Sequence, residues 1–370
     1  MPKISIVLPS YNGERFIREA VDSIINQTFT DWELIIVDDC STDRTLEIAC
    51  GYAEKDARIQ VVHNNTNQKL PEALNIGFRR SKGEYLTWTS DDNMYLSRAL
   101  EEMSCYLDQH EEFPMVCTSM LFMDEDMKYL REKMPYKQDG MYMSDLVGAS
   151  FMYRRRVLAE VGEYSKQFFC VEDYEYWIRL LQRYGSIGYM SNILYLYRVQ
   201  KNSLTALKSD RISQMRAKLQ YKYLEWILEG IRNNPTVIVL LYNNLLTYGY
   251  LGRKQKEQIG RYLPELNGEQ ALVKNKKILI FGAGENGKNA YKLLADRVFA
   301  FVDSDLSKMG KQLFGLPILC PDALAELKDS YQILIAVRIG LQLEIIQCLA
   351  NLGIFKYSIY VRIHTDDLNT

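Results

Sequence analysis

Three pairs of neighbouring acids stand out in this 370-residue chain: Asp38-Asp39, Asp91-Asp92 and Glu172-Asp173. The first two follow short apolar runs, Leu34-Ile35-Ile36-Val37 and Tyr85-Leu86-Thr87-Trp88. A third apolar run, Ile4-Ser5-Ile6-Val7-Leu8, breaks at Pro9-Ser10-Tyr11-Asn12-Gly13. An aromatic ring beside fixed acceptors can take a nucleobase, and adjacent carboxylates suit a divalent cation that bridges phosphates. Each feature alone has a plainer use. Asp91-Asp92 suits a turn closed by an Asx hydrogen bond, and Asp-Cys-Ser-Thr-Asp (39–43) suits a loop that caps a helix. Tyr11 alone could be a loop tyrosine. Together, at three strand ends, they point to a nucleotide-using enzyme.

The elements between them explain how they could meet. Phe16, Ile17, Ala20, Val21, Ile24 and Ile25 recur at helical spacing. A helix is expected near Thr45–Lys55, a strand over Ile59–His63, and a helix with Pro71 in its first turn that stops at Lys82-Gly83. A helix over about Arg98–Gln109 and a strand near Val116–Leu121 follow. Such strand–helix–strand units imply a mostly parallel sheet, in which ligands bind outside the carboxyl ends of the strands. Tyr11, Asp39 and Asp91-Asp92 all fall at such ends. In Cys170–Arg183, the stripe Tyr174, Trp177, Ile178 and Leu181 places Glu172 and Asp173 at the positive end of a helix dipole.

Composition is that of a globular protein, 47% hydrophobic and 25% charged, and the net charge of −2 gives no field for nucleic acid. The seven cysteines lack any Cys-x-x-Cys spacing, which excludes a zinc ribbon and a disulfide scaffold, and the three histidines cannot build a histidine-rich metal site. No signal-like segment opens the sequence, so a reducing, cytoplasmic location is expected. Val237–Leu251, interrupted by Asn243 and Asn244, reads as a buried helix, with peripheral membrane contact as the lesser option.

Five blocks occur in order: Ser-Ile-Val-Leu-Pro-Ser-Tyr-Asn (5–12), Leu-Ile-Ile-Val-Asp-Asp-Cys-Ser-Thr-Asp (34–43), Leu-Pro-Glu-Ala-Leu-Asn-Ile-Gly (70–77), Gly-Glu-Tyr-Leu-Thr-Trp-Thr-Ser-Asp-Asp-Asn (83–93) and Val-Glu-Asp-Tyr-Glu-Tyr-Trp-Ile-Arg-Leu (171–180). Over about residues 3–205 the set resembles the family-2 glycosyltransferases. The resemblance implies an α/β GT-A nucleotide-diphospho-sugar transferase fold, a mostly parallel central sheet flanked by helices. It implies inverting transfer from a nucleotide sugar, most simply a UDP-sugar, to a saccharide or lipid-linked acceptor in surface polysaccharide or glycoconjugate synthesis, at the inner face of a membrane or free in the cytoplasm. It further implies that Pro9 and Tyr11 frame the base, Asp39 accepts a hydrogen bond from it, and Asp91 lies near the ribose. Asp92 would bind a divalent metal (Mn or Mg), Asp173 would be the catalytic base, and Glu172 would lie beside the acceptor. Three positions depart from the family pattern. Ser90 stands at the first acidic place of Asp-x-Asp, Asn93 follows Asp92, and Gln200 in Tyr197–Ser203 stands where histidine is frequent. A third metal contact is therefore in doubt. The Arg154-Arg155-Arg156 cluster reads as solvated charge, with phosphate contact as the alternative.

Residues 206–272 read as a helical linker or subdomain. From 273 to 370 a small Rossmann-like α/β domain is expected. Ile278–Phe281 leads into Gly282-x-Gly284-x-x-Gly287, and Asp303 lies 21 positions after Gly282 (303 − 282). That spacing fits a dinucleotide fingerprint, with NAD or another nucleotide as ligand. Glycines retained for packing, or a module that pairs subunits, fit it nearly as well. A nucleotide-sensing regulatory protein and a bifunctional transferase with a sugar-modifying domain are the other function classes open at this stage.

Overall fold

Every residue of Ile4–Ser10 is buried, as expected of a strand covered on both faces. The computed structural model describes residues 1–133, 138–201, 203–270, 272–273, 276–305 and 307–360. The chain divides into two compact units, Met1–Leu219 and Gln220–Thr370. The division at 219/220 falls within the stretch read as a helical linker.

The first unit runs β1 (Ile4–Ser10), α1 (Ile17–Ile25), β2 (Trp32–Asp38), α2 (Thr45–Ala53), β3 (Ile59–His63), α3 (Leu70–Arg80), β4 (Tyr85–Trp88), β5 (Met94–Tyr95), α4 (Ala99–Gln109), β6 (Met115–Met123) and β7 (Tyr129–Glu132). It continues through β8 (Phe151–Arg154), α5 (Arg155–Val161), α6 (Glu172–Tyr184), β9 (Gly188–Arg198), α7 (Leu204–Leu207) and α8 (Ser209–Lys222). The sheet order is β3-β2-β1-β4-β8-β6-β9-β5, with β7 paired to β6. Strands β3, β2, β1, β4, β6 and β9 run one way, and β8, β7 and β5 run against them. Helices α1, α2 and α4 lay their apolar faces on this sheet: Ile17, Val21 and Ile24, Ile48 and Ala49, and Leu100, Met103 and Leu107 join one core with Ile6, Leu8, Leu34 and Ile36. The 70–77 block proves structural. Asn75 exchanges two hydrogen bonds with the backbone of Tyr164, at 2.9 and 2.8 Å.

Within the Arg154–Arg156 cluster, Arg156 is exposed, as solvated charge would be, while Arg154 and Arg155 are half-buried and held by backbone carbonyls. Arg154 bonds the carbonyls of Leu107, His110 and Phe113, which closes the end of α4, while Arg155 bonds Gly83 O and Arg156 bonds Glu111 O.

The second unit holds α9 (Leu224–Ile231), α10 (Pro235–Thr247), α11 (Arg253–Gly260), β10 (Ile278–Phe281), α12 (Glu285–Leu294), β11 (Val298–Val302), β12 (Gln312–Leu313), β13 (Leu316–Leu319), α13 (Leu324–Leu327), β14 (Gln332–Ile335), α14 (Ile339–Asn351) and β15 (Ser358–Ile359). Its sheet order is β12-β13-β11-β10-β14-β15, parallel except at β12. The Val237–Leu251 stretch forms most of α10. Asn243 is buried there, with its amide bonded to Val239 O and Gln342, each at 2.7 Å. No described helix is long and apolar enough to cross a membrane.

Candidate functional site

Strands β2, β1 and β4 lie side by side: the chain runs from β1 outward to β2 and β3 on one side, then returns through α3 to place β4 on the other. Open α/β sheets form a ligand crevice where the strand order reverses. Two side chains join across that point. Ser10 Oγ, at the end of β1, donates a short hydrogen bond to Asp91, just past β4. Gly13 makes room for this contact: a Cβ there would lie 2.1 Å from Asp91 Oδ2 and 2.7 Å from Ser10 Oγ. Burial, and then the neighbouring Asp92 charge, push the Asp91 carboxyl up to about 7.

The turn after β1 is sewn to the loop after β2. Asn12 Oδ1 accepts from Thr42 N at 2.8 Å, Gly13 N donates to Thr45 Oγ1 at 2.8 Å, and Glu14 N donates to Asp43 Oδ2 at 3.1 Å. Pro9 is buried within β1, while Tyr11 is 52% exposed and presents a free ring beside this seam. Asp39 is buried. Its Oδ1 accepts from Asn64 Nδ2 and Gln68 N, each at 2.8 Å, and its Oδ2 accepts from Lys69 N at 2.9 Å. A carboxylate oxygen can accept two bonds, so Oδ2 keeps room for one more. Asp38 turns the other way, to His63 Nδ1 at 2.7 Å.

Asp92 is tied to the end of β9. Gln200 Nε2 donates to Asp92 Oδ2 at 2.5 Å, and Arg198 Nε donates to the Asp92 carbonyl at 3.1 Å. Asn93 accepts from Arg198 N at 2.8 Å, so this departure from the family pattern holds two loops together. Burial raises the Asp92 carboxyl, and the Gln200 bond opposes that rise. A divalent cation takes oxygen ligands. The Asp92 carboxylate fits such a donor set, and rotation of the Gln200 amide would add a carbonyl oxygen where histidine is frequent in the family. Among the described residues no group of three or more His, Cys, Asp or Glu is placed to hold a metal. Asn202, in the same segment, lies outside the described residues.

Glu172 and Asp173 open α6. The helix is anchored from below: Trp177 packs edge-on against Phe151 at 4.7 Å, Tyr176 stacks on Tyr164 at 4.2 Å, and Trp88 Nε1 donates to Tyr164 OH at 3.2 Å. Asp173 is not the cap residue, which is Val171; its Oδ1 accepts from the adjacent Tyr174 N, at 2.7 Å. Glu172 accepts from Cys170 N at 2.7 Å. Burial pushes the Glu172 carboxyl up to about 7. Burial, then Asp145 and then Glu172 hold Asp173 well above the carboxylate range. A buried acid with a high proton affinity is what a general base requires. Ser10, Gly13, Lys133 and Asp145 were not singled out from the sequence. Ser10 lies within the first block and Gly13 follows it, so both could have been found there; Lys133 and Asp145 carry no local signal.

The glycine fingerprint sits apart, in the second unit, at the end of β10. Gly282 has φ +116°, and a Cβ at Gly287 would fall 1.8 Å from Gly282 O, so these two serve the close approach of α12 to β10. Gly284 faces open space. Asp303 is engaged from within its own unit: Oδ2 accepts from Ala283 N at 2.8 Å and pairs with Lys308 Nζ at 3.1 Å, and Oδ1 accepts from Asp305 N at 2.9 Å.

Comparison with known proteins bears on the first unit. The profile of glycosyl transferase family 2 matches residues 5–162. This part of the chain is a family-2 glycosyltransferase domain. EpsE of Bacillus subtilis, named as a glycosyltransferase, is 38% identical over 125 residues, which cover 34% of this chain and 45% of EpsE. The match therefore spans less than half of that relative. TuaG of the same organism, named as a glycosyltransferase of teichuronic acid biosynthesis, is 27% identical over 211 residues, 56% of this chain and 83% of TuaG. TarS residues 1–349 from S. aureus, solved with UDP-GlcNAc, superimpose with a TM-score of 0.52 at 19% identity, over 71% of this chain and 80% of that one. That likeness establishes the GT-A fold of the transferase domain.

Proposed function

We propose that the chain transfers a sugar from a nucleoside diphosphate donor, with UDP-sugars the favoured class, to a saccharide or lipid-linked acceptor, with inversion at the anomeric carbon. The observation that carries this reading is the Ser10–Asp91 junction at the strand-order reversal, with Tyr11 on one side and Asp92 on the other. Tyr11 and Pro9 frame the base. The remaining acceptor capacity of Asp39 Oδ2 suits an imide N–H, which uracil offers. Asp91 lies where a ribose would follow. Asp92, with Gln200, would hold a divalent cation, Mn or Mg, which when bound stabilises the charge on the departing diphosphate.

The acceptor hydroxyl is deprotonated by the Asp173 carboxylate as its oxygen attacks the anomeric carbon. The new C–O bond forms as the bond to the diphosphate breaks, and the nucleoside diphosphate leaves with the electron pair. The proton ends on Asp173. Glu172 borders the acceptor side. A single displacement of this kind inverts the anomeric centre. The name of TuaG, a glycosyltransferase of teichuronic acid biosynthesis, supports a product of the surface polysaccharide class. Synthesis in the cytoplasm or at the inner face of the membrane is part of the proposal. A nucleotide or NAD at Gly284, or pairing of subunits, remains a proposal for the second unit.

A panel of nucleotide sugars, scored by nucleotide release with and without added Mn or Mg, tests this. Release from one or more UDP-sugars is expected; release from none of the panel with any acceptor saccharide or lipid would remove the reading. Gly13→Ala probes the donor site itself. Its Cβ cannot coexist with the present Asp91 carboxylate, so nucleotide diphosphate should bind about tenfold more weakly by calorimetry, a loss of about 1.4 kcal/mol.

A further inference from the structure

We propose that the face carrying Leu204, Leu207, Lys208 and Arg211 docks the chain on a bilayer with anionic headgroups, beside the cleft. The four residues follow the i, i+3, i+4, i+7 spacing that lines one side of a helix. The backbone supports that placement. Ser203 caps α7, its Oγ accepting from Ala206 N at 3.2 Å. Lys208 N donates to Leu204 O at 3.0 Å and Ile212 N to Lys208 O at 2.8 Å, which carries the chain from α7 into α8. Leu207 is 64% exposed and Leu204 38%, and Val199, just before them, is 42% exposed. Lys201, Lys208 and Arg211 are exposed as well.

The charge of this stretch sets it apart. Residues 201–218 hold the cations Lys201, Lys208, Arg211, Arg216 and Lys218 against one acid, Asp210, in a chain whose net charge is −2. Among the described residues no carboxylate forms an ion pair with any of these cations. Glu125, whose charge acts on Lys201, pairs instead with Arg15 at 2.7 Å. Cations elsewhere in the first unit, such as Arg58, Arg79 and Arg179, do have carboxylate partners. Contacts at both ends place the face beside the cleft. Gln200, bonded to Asp92, precedes it directly. Further on, Arg211 lies over the Phe169 ring at 5.7 Å and Lys218 over the Phe168 ring at 5.6 Å, in the segment that leads into Glu172 and Asp173.

Leucines beside such cations match an anionic bilayer on both counts. The aliphatic side chains enter the headgroup boundary, and the cations are drawn to its negative potential. A soluble anion accounts for the cations alone and leaves the leucines in water. A second copy docked on the same face sets like charges against one another. On the transfer reading, a bilayer held here brings a lipid-linked acceptor to the Asp173 end of the cleft. The contact with lipid does not itself depend on that reading.

The test is flotation of the full chain with vesicles, measured without turnover. The chain should float with vesicles of equal parts phosphatidylglycerol and phosphatidylcholine, stay behind with phosphatidylcholine alone, and be released by raised salt. Leu204→Ser with Leu207→Ser, and separately Lys208→Glu with Arg211→Glu, should each weaken partition about tenfold. Nucleotide release with a soluble acceptor should be unchanged in both variants. Absence of flotation with the anionic vesicles overturns the proposal, as does flotation that neither pair of substitutions weakens. Loss in the Glu pair alone, with inorganic pyrophosphate displacing the chain from vesicles, would mean a site for free phosphate and overturn it too. So would sedimentation showing a dimer that either pair of substitutions dissociates. Failure of every donor in the nucleotide-release panel is the separate result that would remove the transfer reading and leave the flotation result standing.

Discussion

Asp173→Asn lowers kcat by about a thousandfold, within the range a positioned general base supplies, while donor binding stays within about twofold. Asparagine keeps the shape and can still accept from Tyr174 N, so α6 and its aromatic footing are undisturbed. What it loses is the ability to take a proton. The pH dependence of the unaltered chain follows from the same residue. Burial, Asp145 and Glu172 raise the Asp173 carboxyl, so the ionised base is depleted as pH falls through that raised value. Turnover therefore declines on acidification well before ordinary carboxylates titrate. Calorimetry of donor binding beside a nucleotide-release assay separates the two effects. Retained turnover in Asp173→Asn would end the base assignment; lost donor binding would move Asp173 to the donor side of the cleft.

Asp92→Asn is the second large effect, with kcat falling about a hundredfold and stimulation by Mn or Mg disappearing. The carboxylate is held by Gln200 and by the Arg198 contact to its carbonyl, so its position survives the change while its charge does not. Gln200→Ala should be the milder variant, because it removes a neutral partner and leaves the carboxylate. A Gln200→His variant at least as active as the unaltered chain would agree with a shared metal position. If Asp92→Asn keeps its response to added metal, the cation is held elsewhere.

Much of this site is legible along the chain because its parts sit at strand ends. Alternating apolar runs and helical stripes place β1, β2 and β4, and each run stops at the residue that matters: Tyr11, Asp39, Asp91. The Asp39 carboxylate was less legible. Its role as a pin for the 64–69 loop comes from the Asn64 side-chain amide and the backbone N–H groups of Gln68 and Lys69, which have no sequence signature. The fingerprint at Gly282 shows the opposite case. Its spacing suits a dinucleotide, yet two of its glycines answer to the contact between α12 and β10, and Asp303 is bonded to Ala283 and Lys308. A pattern shared by packing and binding cannot separate them.

The aromatic and the two carboxylate doublets with which the sequence announces itself were enough to assign nucleotide chemistry and the layered α/β unit. Strand periodicity is a local property, and strand ends are where such sheets bind. Tertiary structure alone decided what surrounds the base. Tyr174, in the first turn of α6, bonds Met141 O across a gap in sequence that no periodicity spans. Proton affinity depends on burial and on the distance between charges, and both exist only once the chain has folded.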